Sequence, residues 1–184
     1  IMAMPNYTFY CHDQINTELL RHNTVGPLEW FKGKVKSKLI YLYNDEMILD
    51  ELTAIYGDLA LAMYVDMLKT ACDAYKDGYF EENFTEMSKI NALYVGRTEF
   101  LEKLTLDCET IGAGKNLGEL KSYALLQVLN MKFGQRVYVF CSDDKNARNG
   151  IVAMGGANCI SVLSSFVRLQ KEIHFSREDA EPYI

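Results

Sequence analysis

No stretch of this 184-residue chain approaches the roughly 20 consecutive apolar residues that a bilayer-crossing helix requires, so a membrane span is not expected. The opening "IMAMPNY" has neither a basic segment nor a signal-type apolar core, and a cytoplasmic protein is expected rather than a secreted one. Cysteine is sparse and unpatterned. The five thiols (Cys11, Cys72, Cys108, Cys141, Cys159) are odd in number and include no CxxC, which argues against a disulfide framework. Histidine is scarcer still, three residues with no HxxxH, and a zinc site has little support. Positive charge is also short. With a net charge of −6 the chain is no general nucleic-acid binder, and any polyanion it takes must meet a local basic patch or a bound metal. There is no internal repeat and no low-complexity linker, so residues 1–184 read as one domain.

What is present is an alternation of short apolar runs and helical periodicities. "PNYTFYC" reads as a strand ending at His12-Asp13, and "QINTELLRHN" as a short helix. Gly26-Pro27 marks a loop, after which "FKGKVKSK" leads into a second strand at residues 39–43. Asn44 or Asp45 is a suitable N-cap for "EMILDELTAIYG". In that helix Met47, Ala54 and Ile55 form a stripe that Glu51 interrupts. Residues 58–108 carry helical periodicity with few strand signals and read as a helical insertion. "NLGELKSYALLQVLNMKFG" is a strong helix closed by Gly134. A strand at 137–141, a short helix at about 145–154 and a strand at "CISVLSS" make a βαβ unit, whose strands run parallel. "VRLQKEIHF" supplies a last helix.

The chemistry-bearing pattern is acidic. Asp143 and Asp144 stop an apolar strand with two adjacent like charges, which burial penalises unless something compensates. Asp13 follows the first strand, Glu51 lies one to two turns beyond the second, and Glu119 opens the helix that feeds the Asp143 strand. In open parallel α/β sheets, sites form beyond the carboxyl ends of the strands. Four acidic segments converging there would offer the oxygen-rich surroundings that Mg²⁺ or Mn²⁺ requires. Each residue also has a structural reading. Asp13 can terminate a strand; Ser142, Asp143 or Asp144 can cap a helix; Glu119 stands at capping-box spacing from Asn116; and Glu51 can pair with a lysine.

With these residues assembled, the chain resembles the PIN-domain family of metal-dependent nucleases, most strongly in "GAGKNLGELKSYALL" and "VYVFCSDDKNARNGIVAMGGANCISVLSS". "YTFYCHDQIN" is similar to the family's first strand with its first catalytic aspartate, and "LIYLYNDEMILDEL" to its second strand and glutamate-bearing helix. The resemblance implies a Rossmann-like three-layer α/β/α fold with a central, mainly parallel sheet, here carrying the helical insertion. It implies catalytic positions at Asp13, Glu51, Glu119, Asp143, Asp144 and Ser142. Asp13, Glu119, Asp143 and Asp144 would hold Mg²⁺ or Mn²⁺ for hydrolysis of RNA, rather than DNA, phosphodiesters. The chain departs from the pattern in placing Asn16 third after Asp13 and Gly118, not an acid, before Glu119.

Other signals are weaker. "GAGKN" is not a phosphate-binding P-loop, because Glu109 stands where the first glycine belongs and Asn116 where Ser or Thr belongs. Lys32, Lys34, Lys36 and Lys38 would line one face if extended, either tracking a phosphate backbone or forming a solvated edge. Lys145 and Arg148 lie one turn apart beside the acid pair, placed to hold substrate phosphate or to balance charge. The amphipathic insertion needs a burial partner: the domain itself, a second copy or a protein inhibitor. The rivals to a ribonuclease are a PIN-like binding or regulatory module without cleavage and a small-molecule phosphoesterase.

Overall fold

The structure is a computed structural model, and it describes residues 8–21, 25–112, 116–134, 139–142, 144–153, 158–174, 176 and 178. Within them the chain runs β1 (Phe9–His12), α1 (Gln14–Arg21), α2 (Val25–Lys36), β2 (Ile40–Tyr43) and α3 (Asp45–Tyr56). After a 3-10 turn at Gly57–Leu59 come α4 (Ala60–Tyr75), α5 (Tyr79–Asn83), a second 3-10 turn at Met87–Lys89 and α6 (Arg97–Ile111). The remainder is α7 (Leu117–Phe133), β3 (Val139–Cys141), α8 (Lys145–Ala153), β4 (Asn158–Ile160) and α9 (Val162–Ile173).

The expected three-layer α/β/α architecture does not form. Among the described residues the chain is mostly helical, and its strands make two separate two-stranded parallel pairs rather than one central sheet. β1 pairs with β2 in the register Phe9↔Ile40 to His12↔Tyr43, and β3 pairs with β4 from Val139↔Asn158 to Cys141↔Ile160. The physical reason is length. Strands of three or four residues present too little apolar face to organise a core, and two-stranded units are marginal on their own. The parallel β3–α8–β4 unit does form as the spacing suggested.

Helices therefore supply the interior. Ile48, Leu49 and Leu52 of α3, Tyr64 and Leu68 of α4, Phe80, Phe84, Phe100 and Leu104 are all buried in one contiguous cluster. The stretch 58–108 is not an appendage: α4 packs against α3, α7 and α8 at the centre of that cluster. α7 is apolar nearly all round, with Leu117, Leu120, Ala124, Leu125, Val128 and Leu129 buried, which is the pattern of a helix enclosed by others.

Two local expectations are overturned. Residues 25–36 are helical, although Gly26-Pro27 reads as a loop; a proline in the first turn costs no intrahelical hydrogen bond, and Leu28 and Phe31 bury the inner face. The stripe of Met47, Ala54 and Ile55 is the outer face of α3, with Met47 41% and Ile55 44% exposed, while Ile48, Leu49 and Leu52 face inward.

Candidate functional site

The carboxyl ends of β1 and β2 adjoin the first turns of α7, because Asp13 N–H donates to the Tyr43 carbonyl at 2.8 Å and α7 packs against β1. Asn44 leaves β2 and caps α3, its side-chain oxygen accepting from Met47 N–H at 2.8 Å. That turn sets Asp45 beside the sheet end.

Asp45 is the centre of a buried polar network that the sequence patterns did not single out. Its Oδ2 accepts from Lys121 Nζ at 2.6 Å, and its Oδ1 accepts from the Tyr64 hydroxyl. His12, wholly buried, places Nε2 3.3 Å from Asp45 Oδ1, without the alignment of a hydrogen bond. Its Nδ1 accepts from Gln14 N–H at 3.1 Å, which fixes the orientation of the ring. Burial opposes ionisation of Asp45, but the Lys121 ammonium and then His12 outweigh it and hold the carboxyl well below the usual aspartate range. Lys121 shifts the opposite way: burial disfavours its charge, and Asp45 more than restores it. This is a closed pair, not an open ligand position.

Asp13 lies against the same network, its Oδ1 3.1 Å from His12 Nδ1. Its pKa is raised, by burial first; His12 and Lys121 work against that shift and the charge of Asp45 adds to it. Among the described residues Asp13 makes no direct ion pair with a lysine or arginine, although the Lys121 ammonium acts on it.

A second acidic group gathers at the start of α7. Glu18 of α1 reaches over and accepts from Gly118 N–H at 2.9 Å, capping α7 from outside. The approach is possible because residue 118 lacks a side chain; a methyl there would lie 2.7 Å from Glu18 Oε2. Asn116 does not make the capping-box bond that its spacing suggests; it is left-handed (φ 56°), and its amide donates to the Tyr75 hydroxyl. Glu119 is half-buried. Its pKa is raised by burial, while its own backbone N–H opposes the shift and the charges of Glu18 and Asp144 add to it.

Asp144 lies within the field of Glu119 while also capping α8: its Oδ1 accepts from Ala147 N–H at 2.7 Å. Ser142 Oγ accepts from Asp144 N–H at 3.1 Å, and Arg148 Nη1 donates to the Ser142 carbonyl at 2.6 Å. Ser142 and Arg148 thus tie the turn after β3, and Lys145 is exposed at the start of α8. Asp143 lies outside the described residues.

Glu51 stands apart. It forms an ion pair with Lys132 at the far end of α7, about 20 Å from Glu119 at 1.5 Å per residue. Asp144 therefore lies within electrostatic reach of Glu119, Asp13 sits beside His12 near Asp45, and Glu51 lies elsewhere. Among the described residues no three His, Cys, Asp or Glu side chains are grouped tightly enough to hold one metal ion. A small cavity of about 20 Å³, room for a single water, lies against Glu119 between Ala74, Tyr123, Phe140 and Gly150.

His12, Asp45, Lys121 and Glu18 were the residues that pattern reading missed. Lys121 carried a usable signal, since a lysine in the apolar run "LKSYALLQVL" must find a buried counter-charge. Among the described residues no helix is long and apolar enough to cross a membrane. No protein family, curated protein or solved structure matches the chain.

Proposed function

We propose that the acidic group of Glu18, Glu119 and Asp144 at the start of α7, with Asp13 at the neighbouring strand end, is the centre of a divalent-metal-dependent ribonuclease. The observation that carries this reading is Glu119: a half-buried carboxyl raised by burial and by two neighbouring acids, with no basic partner among the described residues. Like charges held together without a counter-ion favour a cation between them. Mg²⁺ and Mn²⁺ fit the donors, which are all hard oxygens. A closed three-carboxylate cage is lacking among the described residues, but Mg²⁺ commonly uses one or two carboxylates and keeps several waters. Glu119 with Asp144 would hold it. Once bound, such an ion activates a water and stabilises charge on a phosphodiester.

The chain's own groups prepare the edge. Glu18 fixes the first turn of α7 and so the position of Glu119. His12, immobilised by burial and by Gln14 N–H, holds a ring nitrogen beside Asp13. Arg148 clamps the turn that carries Asp144, and Lys145 stands exposed next to it for a substrate phosphate.

The test is cleavage of a mixed-sequence RNA with Mn²⁺ or EDTA, beside thermal melts with and without Mn²⁺. Asp13→Asn and Glu119→Gln should each lower cleavage by about 100-fold or more, equivalent to about 2.7 kcal/mol of transition-state stabilisation, while the variants stay folded. A parent protein that neither cleaves RNA nor gains stability from Mn²⁺ removes this reading. The binding-module alternative then takes its place, favoured by the use of Asp144 as a helix cap. Cleavage of small phosphoesters without cleavage of RNA would favour the phosphoesterase.

A further inference from the structure

An acidic chain that handles RNA needs a basic surface to hold it, and one segment stands out. Residues 30–41, "WFKGKVKSKLIY", contain four lysines and no acid, against a net charge of −6 for the whole chain. In the structure they are the outer part of α2 and the beginning of β2. Leu28 and Phe31 turn inward, whereas Lys32, Lys36, Lys38 and Leu39 are exposed. Trp30 is 54% and Tyr41 47% exposed, large aromatic areas left in water within one basic segment. Lys34 follows Trp30 by one helical turn and holds its ammonium 5.5 Å from the ring centroid. Lys32 meets Glu29 at 3.2 Å, a pair between two exposed side chains that salt and a phosphate displace readily.

We propose that the exposed side of α2 and the turn leading into β2 bind single-stranded RNA, with Lys32 and Lys36 on one flank of the helix and Lys34 with Trp30 on the other, the lysines along its phosphates and Trp30 and Tyr41 stacking on bases. Single-strand binders combine these two elements: basic residues tracking the backbone and aromatic rings on which bases stack. Charge complementarity selects a polyanion, and the exposed rings select one with unpaired bases over a duplex or a lipid surface. The position suits the reaction proposed above, on which this surface rests for its substrate class. Lys38 and Leu39 precede β2, and Tyr43 at its end accepts from Asp13 N–H, so one strand length, about 13 Å, separates the basic segment from Asp13. A strand of RNA lying along β2 passes from grip to acids.

Fluorescence anisotropy of a labelled, mixed-sequence 12-nucleotide RNA, measured in EDTA over a salt series, tests binding without cleavage. Trp30→Ala should weaken binding about tenfold, the effect of losing one stacked base. The triple variant Lys32→Glu/Lys36→Glu/Lys38→Glu should weaken it at least tenfold and flatten the slope of log affinity against log salt by about 2. Far-UV circular dichroism confirms that these surface variants are folded. Residue-dependent binding in EDTA supports the surface even where no metal-dependent cleavage is found, which separates its success from that of the catalytic reading. A parent that does not bind RNA, or variants that bind with unchanged affinity and salt slope, overturns it even if cleavage is observed. Preferential binding to vesicles containing phosphatidylserine, with none to RNA, overturns it in favour of a membrane surface.

Discussion

The two polar groups at the start of α7 are built on opposite principles. Around Asp45 the charges are complementary: a buried lysine and a buried carboxylate meet at 2.6 Å, and a tyrosine hydroxyl donates to the second oxygen. Around Glu119 the charges are alike, and both Glu18 and Asp144 act to raise its pKa. Two residues on one helix, Glu119 and Lys121, separate these environments. The closed group stabilises the fold, whereas the open one costs the fold something because its charges repel.

The largest break in this contrast is Lys121→Met. It leaves Asp45 buried without its counter-charge and should cost about 3–5 kcal/mol, read as a fall in the urea midpoint. Adding Asp45→Asn should restore part of that loss, since removing both charges is far less damaging than removing one. A double variant no more stable than the single would show that the pair is not the source of the effect.

The next largest effect is a pH slope. Asp45 has a depressed folded-state pKa, so its contribution is complete above the ordinary aspartate value of about 4 and is lost as pH falls below it. Urea midpoints of the parent at pH 7, 5 and 3.5 should fall at the last step, and Lys121→Met should show a shallower fall. Glu119 titrates with the opposite sign. Its raised pKa means that ionisation disfavours the folded state, so Glu119→Gln should raise the melting temperature of the metal-free protein at pH 7. The gain should stay under about 1 kcal/mol because the group is only half-buried and solvent screens it. Lower stability in Glu119→Gln would mean that Glu119 is a structural acid. The smallest effect belongs to the other end of α7, where Lys132→Ala breaks a partly exposed pair with Glu51 and should cost about 0.5 kcal/mol or less.

The sequence signals that held were local ones. Asn44 caps α3, Gly134 closes α7, and β3–α8–β4 forms a parallel unit, each determined by a few adjacent residues. Glu51 shows how such reading misleads. Its stripe seemed apolar, but the competing stripe of Ile48, Leu49 and Leu52 wins burial, so Glu51 sits on the flank with its lysine. The two-sheet arrangement was hidden because periodicity reveals a strand but not whether two pairs of strands join. Glu18 was hidden for a similar reason: its partner Gly118 is close only after α1 and α7 have packed, and a backbone N–H carries no sequence signature. The four lysines share one face only in an extended geometry, whereas the helix brings Lys34 over the Trp30 indole.

Gly150 carries a consequence for how the acidic edge is held. A methyl at that position would lie 2.9 Å from the Ala74 carbonyl oxygen, so α8 and α4 touch backbone to backbone. Asp144 caps α8, and its location is thus referenced to the helical interior instead of to the short strand that precedes it. The two helices are mechanically in series. Slow hydrogen exchange in α4 should be inherited by the inner amides of α8, and any substitution that widens the seam at 150 will displace a carboxylate several residues away.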